Sequence, residues 1–268
     1  MSERPPFRIL LGPQRPSSNL AQLIGETGIP EGTLAVISAG WQEAEGDLAE
    51  IAELIDRPLV DLRLYQRAEG VFEANPALWK AYRERQDGLV QLQGLYRTRL
   101  KHLSAAARQL LRADEDPDII AAEQRHAIAQ LRALDRHQLQ RTEVIQERFQ
   151  GALGNDLRAE LAAHRQEIEE ILRGSAAVLI TGGNVLVLLN RIRLFGIEAL
   201  LANHHLIAWS AGAMVLTDRV ILYHDRTPQG RRDPEVLGAG VGLVPGCVVL
   251  PNTRRRLRAS DRTRLALY

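Results

Sequence analysis

The stretch 206-LIAWSAGAMVL-216 decides how the chain is read. An apolar run enters Ser210, and the small residues Ala211, Gly212 and Ala213 leave it. A strand ending at Trp209 and a helix beginning near Ala211 would hold the serine on a tight strand-to-helix turn. Such a turn crowds the backbone, so it needs small neighbours. The functional reading is a nucleophile elbow. Its hydroxyl stands at the carboxyl edge of a sheet, and the following backbone N–H faces a developing oxyanion. The full G-x-S-x-G pattern is not met, because Ala208 stands at the first glycine position. A serine that caps a helix after a buried strand is the competing reading. The stretch alone leaves both open.

Working outward, 181-TGGN-184 repeats the arrangement after the apolar run AAVLITGG (176–183). Two glycines at a strand end free backbone N–H groups to approach a ligand. A plain turn with Asn184 as helix N-cap is the alternative. In a parallel sheet both turns open on the same edge, where ligand sites form. The amino-terminal part supports such a sheet. FRILLG (7–12), TLAVISAGW (33–41) and PLVDLRLY (58–65) read as strands, separated by helical patterns at 17–28, with a serine cap and a glycine stop, and at 43–55. VILYHD (220–225) and CVVLP (247–251) are expected strands, and GAGVGLVPG (238–246) a glycine-rich loop. A further helix, Leu157 to Ile171, is expected to be capped by Asn155.

The middle of the chain differs. Tyr82, Leu89, Tyr96, Leu103 and Leu110 fall seven apart, with Leu78, Leu92 and Ala106 on a second seam. DEDPD (114–118) reads as a turn, and Ile120, Ala127, Leu131, Leu134, Ile145 and Phe149 continue the stripe. This pattern predicts two long antiparallel helices. A hairpin of this kind buries little by itself, so it is expected to pack on the α/β part, on a second copy in a homodimer, or both. The expected domains are residues 1–70 with 151–268 as an α/β hydrolase-like domain, and 71–150 as a helical hairpin insertion. The fold class is α/β, a mostly parallel sheet flanked by helices.

Composition narrows the function. The chain is 268 residues long, 45% hydrophobic and carries a net charge of +1, so it can bury a core and gives no electrostatic case for nucleic acid or membrane partners. Its one cysteine, Cys247, excludes an intrachain disulfide, and the amino terminus MSERPPFRILLG lacks the apolar stretch of a signal peptide. A cytoplasmic location is expected. His102, His126 and His137 have no ligand spacing, so no metal is expected, and no cofactor is called for. The glycines at 238, 240, 242 and 246 break the G-x-G-x-x-G spacing of a dinucleotide site.

TGGNVLVLLNRIR, then IAWSAGAMVL, a strand ending in an acid, and GLVPG followed by LP resemble the serine peptidase family of dipeptidase E and cyanophycinase. The resemblance implies a fold like that of class I glutamine amidotransferases and a serine hydrolase acting on small peptides or aspartyl-type bonds. An amidotransferase itself would need cysteine at the elbow. The resemblance places Ser210 as nucleophile, Gly183 and Ala211 as oxyanion-hole donors with Gly182 permitting the approach, and Asp225 as the triad acid, with Asp233 the weaker candidate. It does not cover the hairpin. Where the family has its catalytic histidine after a proline, Pro251 is followed by Asn252. Asparagine cannot accept and return a proton near neutral pH, so activity is expected to be impaired. His224 adjoins Asp225 but points to the opposite face of its expected strand, and His205 begins the serine's strand, at the wrong end. Family members continue with further strands, which implies a longer natural chain or a smaller sheet. The alternative function is an inactive relative that binds a ligand or a protein through the hairpin.

Overall fold

The computed structural model describes residues 5–223 and 232–268. In chain order the first elements are β1 (Arg8–Leu11), α1 (Leu20–Glu26), β2 (Leu34–Ile37), α2 (Ala49–Leu54), β3 (Leu59–Asp61) and α3 (Leu64–Ala74). Two long helices follow, α4 (Pro76–Leu110) and α5 (Pro117–Ala152), then α6 (Asn155–Arg173), β4 (Ala177–Ile180), α7 (Val185–Phe195), α8 (Glu198–Leu201), β5 (Leu206–Trp209) and α9 (Ala211–Val215). The chain closes with β6 (Arg219–Leu222), β7 (Glu235–Ala239), α10 (Thr253–Arg256) and α11 (Arg262–Ala266). It divides into two compact units. The first comprises Met1–Leu78, Leu153–Arg219 and Gly240–Pro251, and the second Trp79–Ala152, Val220–Ala239 and Asn252–Tyr268.

The first unit is α/β. Its sheet has five parallel strands in the order β1-β5-β4-β2-β3. Burial follows that order. Every residue of β2, β4 and β5 is buried, whereas the edge strands β1 and β3 are half-buried. This explains why the central strands read as unbroken apolar runs: a strand covered on both faces has no solvent side to make polar. Leu34, Val36, Leu179, Ile207 and Trp209 join Leu20 and Ile24 of α1 and Ile51 of α2 in one core. Each fully buried Leu or Ile contributes about 1.5–3 kcal/mol.

Several expected boundaries shift inward. The second strand stops at Ile37, and residues Ala39–Ala44 wind into a 3₁₀ turn instead of continuing to Trp41. The third stops at Asp61, because Leu64 and Tyr65 already begin α3. The helix expected over 43–55 begins only at Ala49, as Gly46 takes a left-handed φ of 85° ahead of it. Asn155 is the first residue of α6 and not its cap, whereas the serine expected ahead of α1 does serve it: Ser18 Oγ accepts from Leu20 N–H at 3.1 Å, while the side chain of Asn19 makes no cap. Residues 247–251 form no strand. The preceding loop is laced back on the end of α9 and the residue after it, through Val241 N–H to Val215 O at 2.7 Å and Val244 N–H to Leu216 O at 2.9 Å. A methyl at Gly240 would lie 1.9 Å from the Thr217 carbonyl oxygen, so only glycine admits that approach.

In the second unit α4 and α5 run antiparallel: Arg85 bonds Gln146, Tyr96 bonds Asp135 and Leu110 O accepts from Gln124. Tyr96, Leu100, Ala107, Ala127, Leu131 and Leu134 pack with Ile221 and Val236 of the two-stranded β6-β7 sheet. The strict seven-residue seam does not hold throughout. Ala106 is exposed, Ala107 takes the buried position, and the polar Arg85, Gln93, Ser104, Gln138 and Thr142 are buried on the same faces. No helix among the described residues is long and apolar enough to cross a membrane.

Candidate active site

The parallel register brings the ends of β2, β4 and β5 to one edge of the sheet. Three turns leave from there: 38-SAGWQ-42, 181-TGGN-184 and 210-SAG-212. β4 lies between β2 and β5 in the sheet, and its turn is gripped from both sides by the glycines of the two SAG sequences. A methyl on Gly40 would stand 2.6 Å from the Gly182 carbonyl oxygen, and one on Gly212 2.3 Å from that of Ile180. Asn184 N–H donates to Gly40 O at 2.7 Å and ties the arrangement together. The Asn184 side chain accepts from Leu186 and Val187 N–H and caps α7. The capping reading of TGGN therefore holds alongside any other role of its glycines.

Ser210 has φ 54° and ψ −117°, a conformation that costs a side-chain-bearing residue about 1–3 kcal/mol. Its carbonyl accepts from Met214 N–H at 3.1 Å, but its side chain makes no cap on α9, so the helix-capping alternative falls away. Gly182 packs closely on the serine, since a methyl there would lie 3.1 Å from Ser210 Cβ and 3.4 Å from Oγ, tight enough that the side chain would have to shift by a few tenths of an ångström. Gly183 takes a φ of 108°, and Ala211, buried, is the first residue of α9. Among the described residues neither the Ser210 hydroxyl nor the Gly183 and Ala211 amides enter a hydrogen bond.

These groups open on a cavity of about 710 Å³, lined by Gly182, Gly183, Asn184, Trp209 and Ser210 together with Arg15, Trp41, Gln42, Asp47 and Glu50. Gln42 is a site residue that no sequence motif marks directly. Its φ of 58° and ψ of −120° nearly duplicate those of Ser210, so two strained residues face the same space. The repeat of SAG at positions 38 and 210 is the one available signal. Arg15 and Glu50 pair at the rim. Behind the Gln42 turn, Glu45 is buried, and its carboxylate accepts from Tyr65 N–H at 2.9 Å and Gln66 N–H at 2.7 Å, capping α3. Burial pushes Glu45 up to about 7 against the opposing pull of those two N–H groups. Ser38 donates to Asp61, whose carboxyl burial also raises.

The other expected residues lie outside the described residues, in the second unit, or at the amino-terminal end of β5. Asp225 and His224 lie outside the described residues. Asp233 belongs to the second unit, where Arg108 and Arg264 hold its carboxylate. Asn252, also in the second unit, precedes α10 with a left-handed φ of 61° and makes no side-chain cap. His205 sits at the amino-terminal end of β5, where its Nδ1 accepts from Phe7 N–H at 3.2 Å and its ring stacks on Phe7. His204 is bonded to the Leu200 and Leu172 carbonyls. No histidine lines the Ser210 cavity among the described residues, and none of them form a group of three or more side chains able to hold a metal.

No curated protein and no solved structure matches the chain. Residues 142–257, which contain β4, α7, β5 and the Ser210 turn, match the model of peptidase family S51, the family of dipeptidase E and cyanophycinase.

Proposed function

We propose that the first unit is a serine-hydrolase scaffold for small peptides or aspartyl-type bonds, with Ser210 as nucleophile and Gly183 and Ala211 as oxyanion donors. Over its matched residues the chain is a relative of the S51 peptidases. The observation that carries the reading is the strained Ser210 backbone, set against Gly182 in an open cavity, with no hydrogen-bond partner for its hydroxyl among the described residues. Strain of this kind persists only where surrounding structure imposes it, and it collects at working sites.

Among the described residues no histidine lines the cavity to act as its base. A serine hydroxyl is a weak nucleophile unless a neighbouring group takes its proton, and Asn252 at the expected histidine position cannot do so. The proposed state is therefore a nucleophile turn with impaired turnover, with Asp225 as the acid that would have oriented the histidine. Asn252→His should raise hydrolysis of small aspartyl peptides by about 100-fold or more. Labelling by a fluorophosphonate probe should be slow in the native chain, faster in Asn252→His, and absent from Ser210→Ala. Labelling that survives Ser210→Ala would remove Ser210 from the proposal.

That no histidine lines the cavity among the described residues also favours a second reading, an inactive relative that works by binding through its helical hairpin, as a homodimer. An Asn252→His variant that stays inert while the chain still binds ligand would decide for it.

A further inference from the structure

The second unit holds a cavity of its own, about 660 Å³, lined by Arg97, Lys101, Arg108 and Arg112 of α4 and its end with Arg232, Asp233, Glu235 and Arg264. Along the helix the four cations stand at i, i+4, i+11 and i+15, which places them along one side. Among the described lining residues six cations stand with two carboxylates, a surplus of four positive charges. That surplus is local, because the whole chain carries only +1.

The two carboxylates are already committed. Glu235 accepts from Arg97, at 2.9 Å through Nη2, and from Gln93 at 3.2 Å. Asp233 Oδ1 is shared by Arg108 and Arg264, the latter at 3.3 Å. Arg264 is 2% exposed, and its guanidinium also donates to the Arg232 carbonyl and lies over the Tyr268 ring at 5.3 Å. A buried guanidinium is fixed in direction by such contacts. Lys101 and Arg112 have no carboxylate partner among the described residues. Oriented guanidiniums behind and unpaired cations in front are the arrangement that recognises a multiply charged oxyanion by forked hydrogen bonds.

We infer that this cavity binds a small oxyanion carrying at least two negative charges, a phosphate ester or a polycarboxylate. The inference does not depend on any chemistry at Ser210. The volume suits it, since small-ligand sites occupy about 300–1,000 Å³. Calorimetric titration of the full chain at low salt with inorganic pyrophosphate and, separately, with citrate tests it. At least one should bind, with affinity falling as salt is raised. Lys101→Glu with Arg112→Glu should weaken binding by about tenfold or more, whereas Arg125→Glu, exposed on α5 and outside the cavity, should leave it nearly unchanged. Preference for pyrophosphate assigns the site to phosphate esters and preference for citrate to carboxylates. Failure of both anions to bind, or equal weakening by Arg125→Glu, overturns the inference.

Discussion

At the scale of single residues, glycine has opposite meanings at different places in this chain. Gly212 and Gly40 are required because carbonyl oxygens stand where a methyl group would go, and backbone cannot swing aside as a flexible side chain can. Gly70, exposed within α3 with nothing within 4 Å of where a methyl would stand, is only a weak point in a helix. Gly212→Ala should therefore destabilise the protein by about 1–3 kcal/mol, and Gly70→Ala should stabilise it by about 0.5–1 kcal/mol. Urea denaturation of the two variants against the native chain measures both, and a Gly212→Ala variant as stable as Gly70→Ala would refute the close packing around the Ser210 turn. The SAGAM stretch was legible because strained turns admit so few residue types. Gln42 was not, since glutamine carries no sign of a positive φ.

At the scale of elements, α3 begins without a capping side chain of its own, and its first turn is satisfied by Glu45 from the turn after β2. This cap carries a pH dependence whose sign follows from the raised carboxyl. Folded Glu45 holds its proton up to about pH 7, whereas in the unfolded chain it ionises near 4.5, so its contribution to stability is full below about 4.5 and is lost as pH rises through about 7. Glu45→Gln removes that component. The stability of the variant relative to the native chain should rise by on the order of 2–3 kcal/mol between pH 4.5 and 8, read from denaturation midpoints across the range. A relative stability flat across that interval would sink the assignment. Sequence alone could not show this cap, because its partners lie twenty residues apart and meet only when β2 and α3 pack. The seven-residue stripe of α4 and α5 was readable for the converse reason, since its partners are set by helix periodicity and one short turn.

At the scale of the whole molecule, the chain presents Val90 and Leu95 on α4 at 69% and 68% exposure. On the proposal that the hairpin also serves a homodimer, light scattering should give twice the 29.9 kDa chain mass, and Val90→Asp with Leu95→Asp should return it to the single-chain value. A native chain already at 29.9 kDa would refute the dimer.

The sequence by itself determined the α/β character of the first unit, the helical hairpin and the strand-to-helix turn at Ser210. Each of these is written in local periodicity or in the few residue types that a crowded turn tolerates. The tertiary structure alone decided that the two SAG turns clamp the β4 turn between them, that Glu45 caps a helix from outside it, that 247–251 forms no strand, and that α4 gathers cations around Asp233 and Glu235. Those outcomes depend on which backbone atoms and charges approach one another across long stretches of chain, and no local pattern encodes such approach.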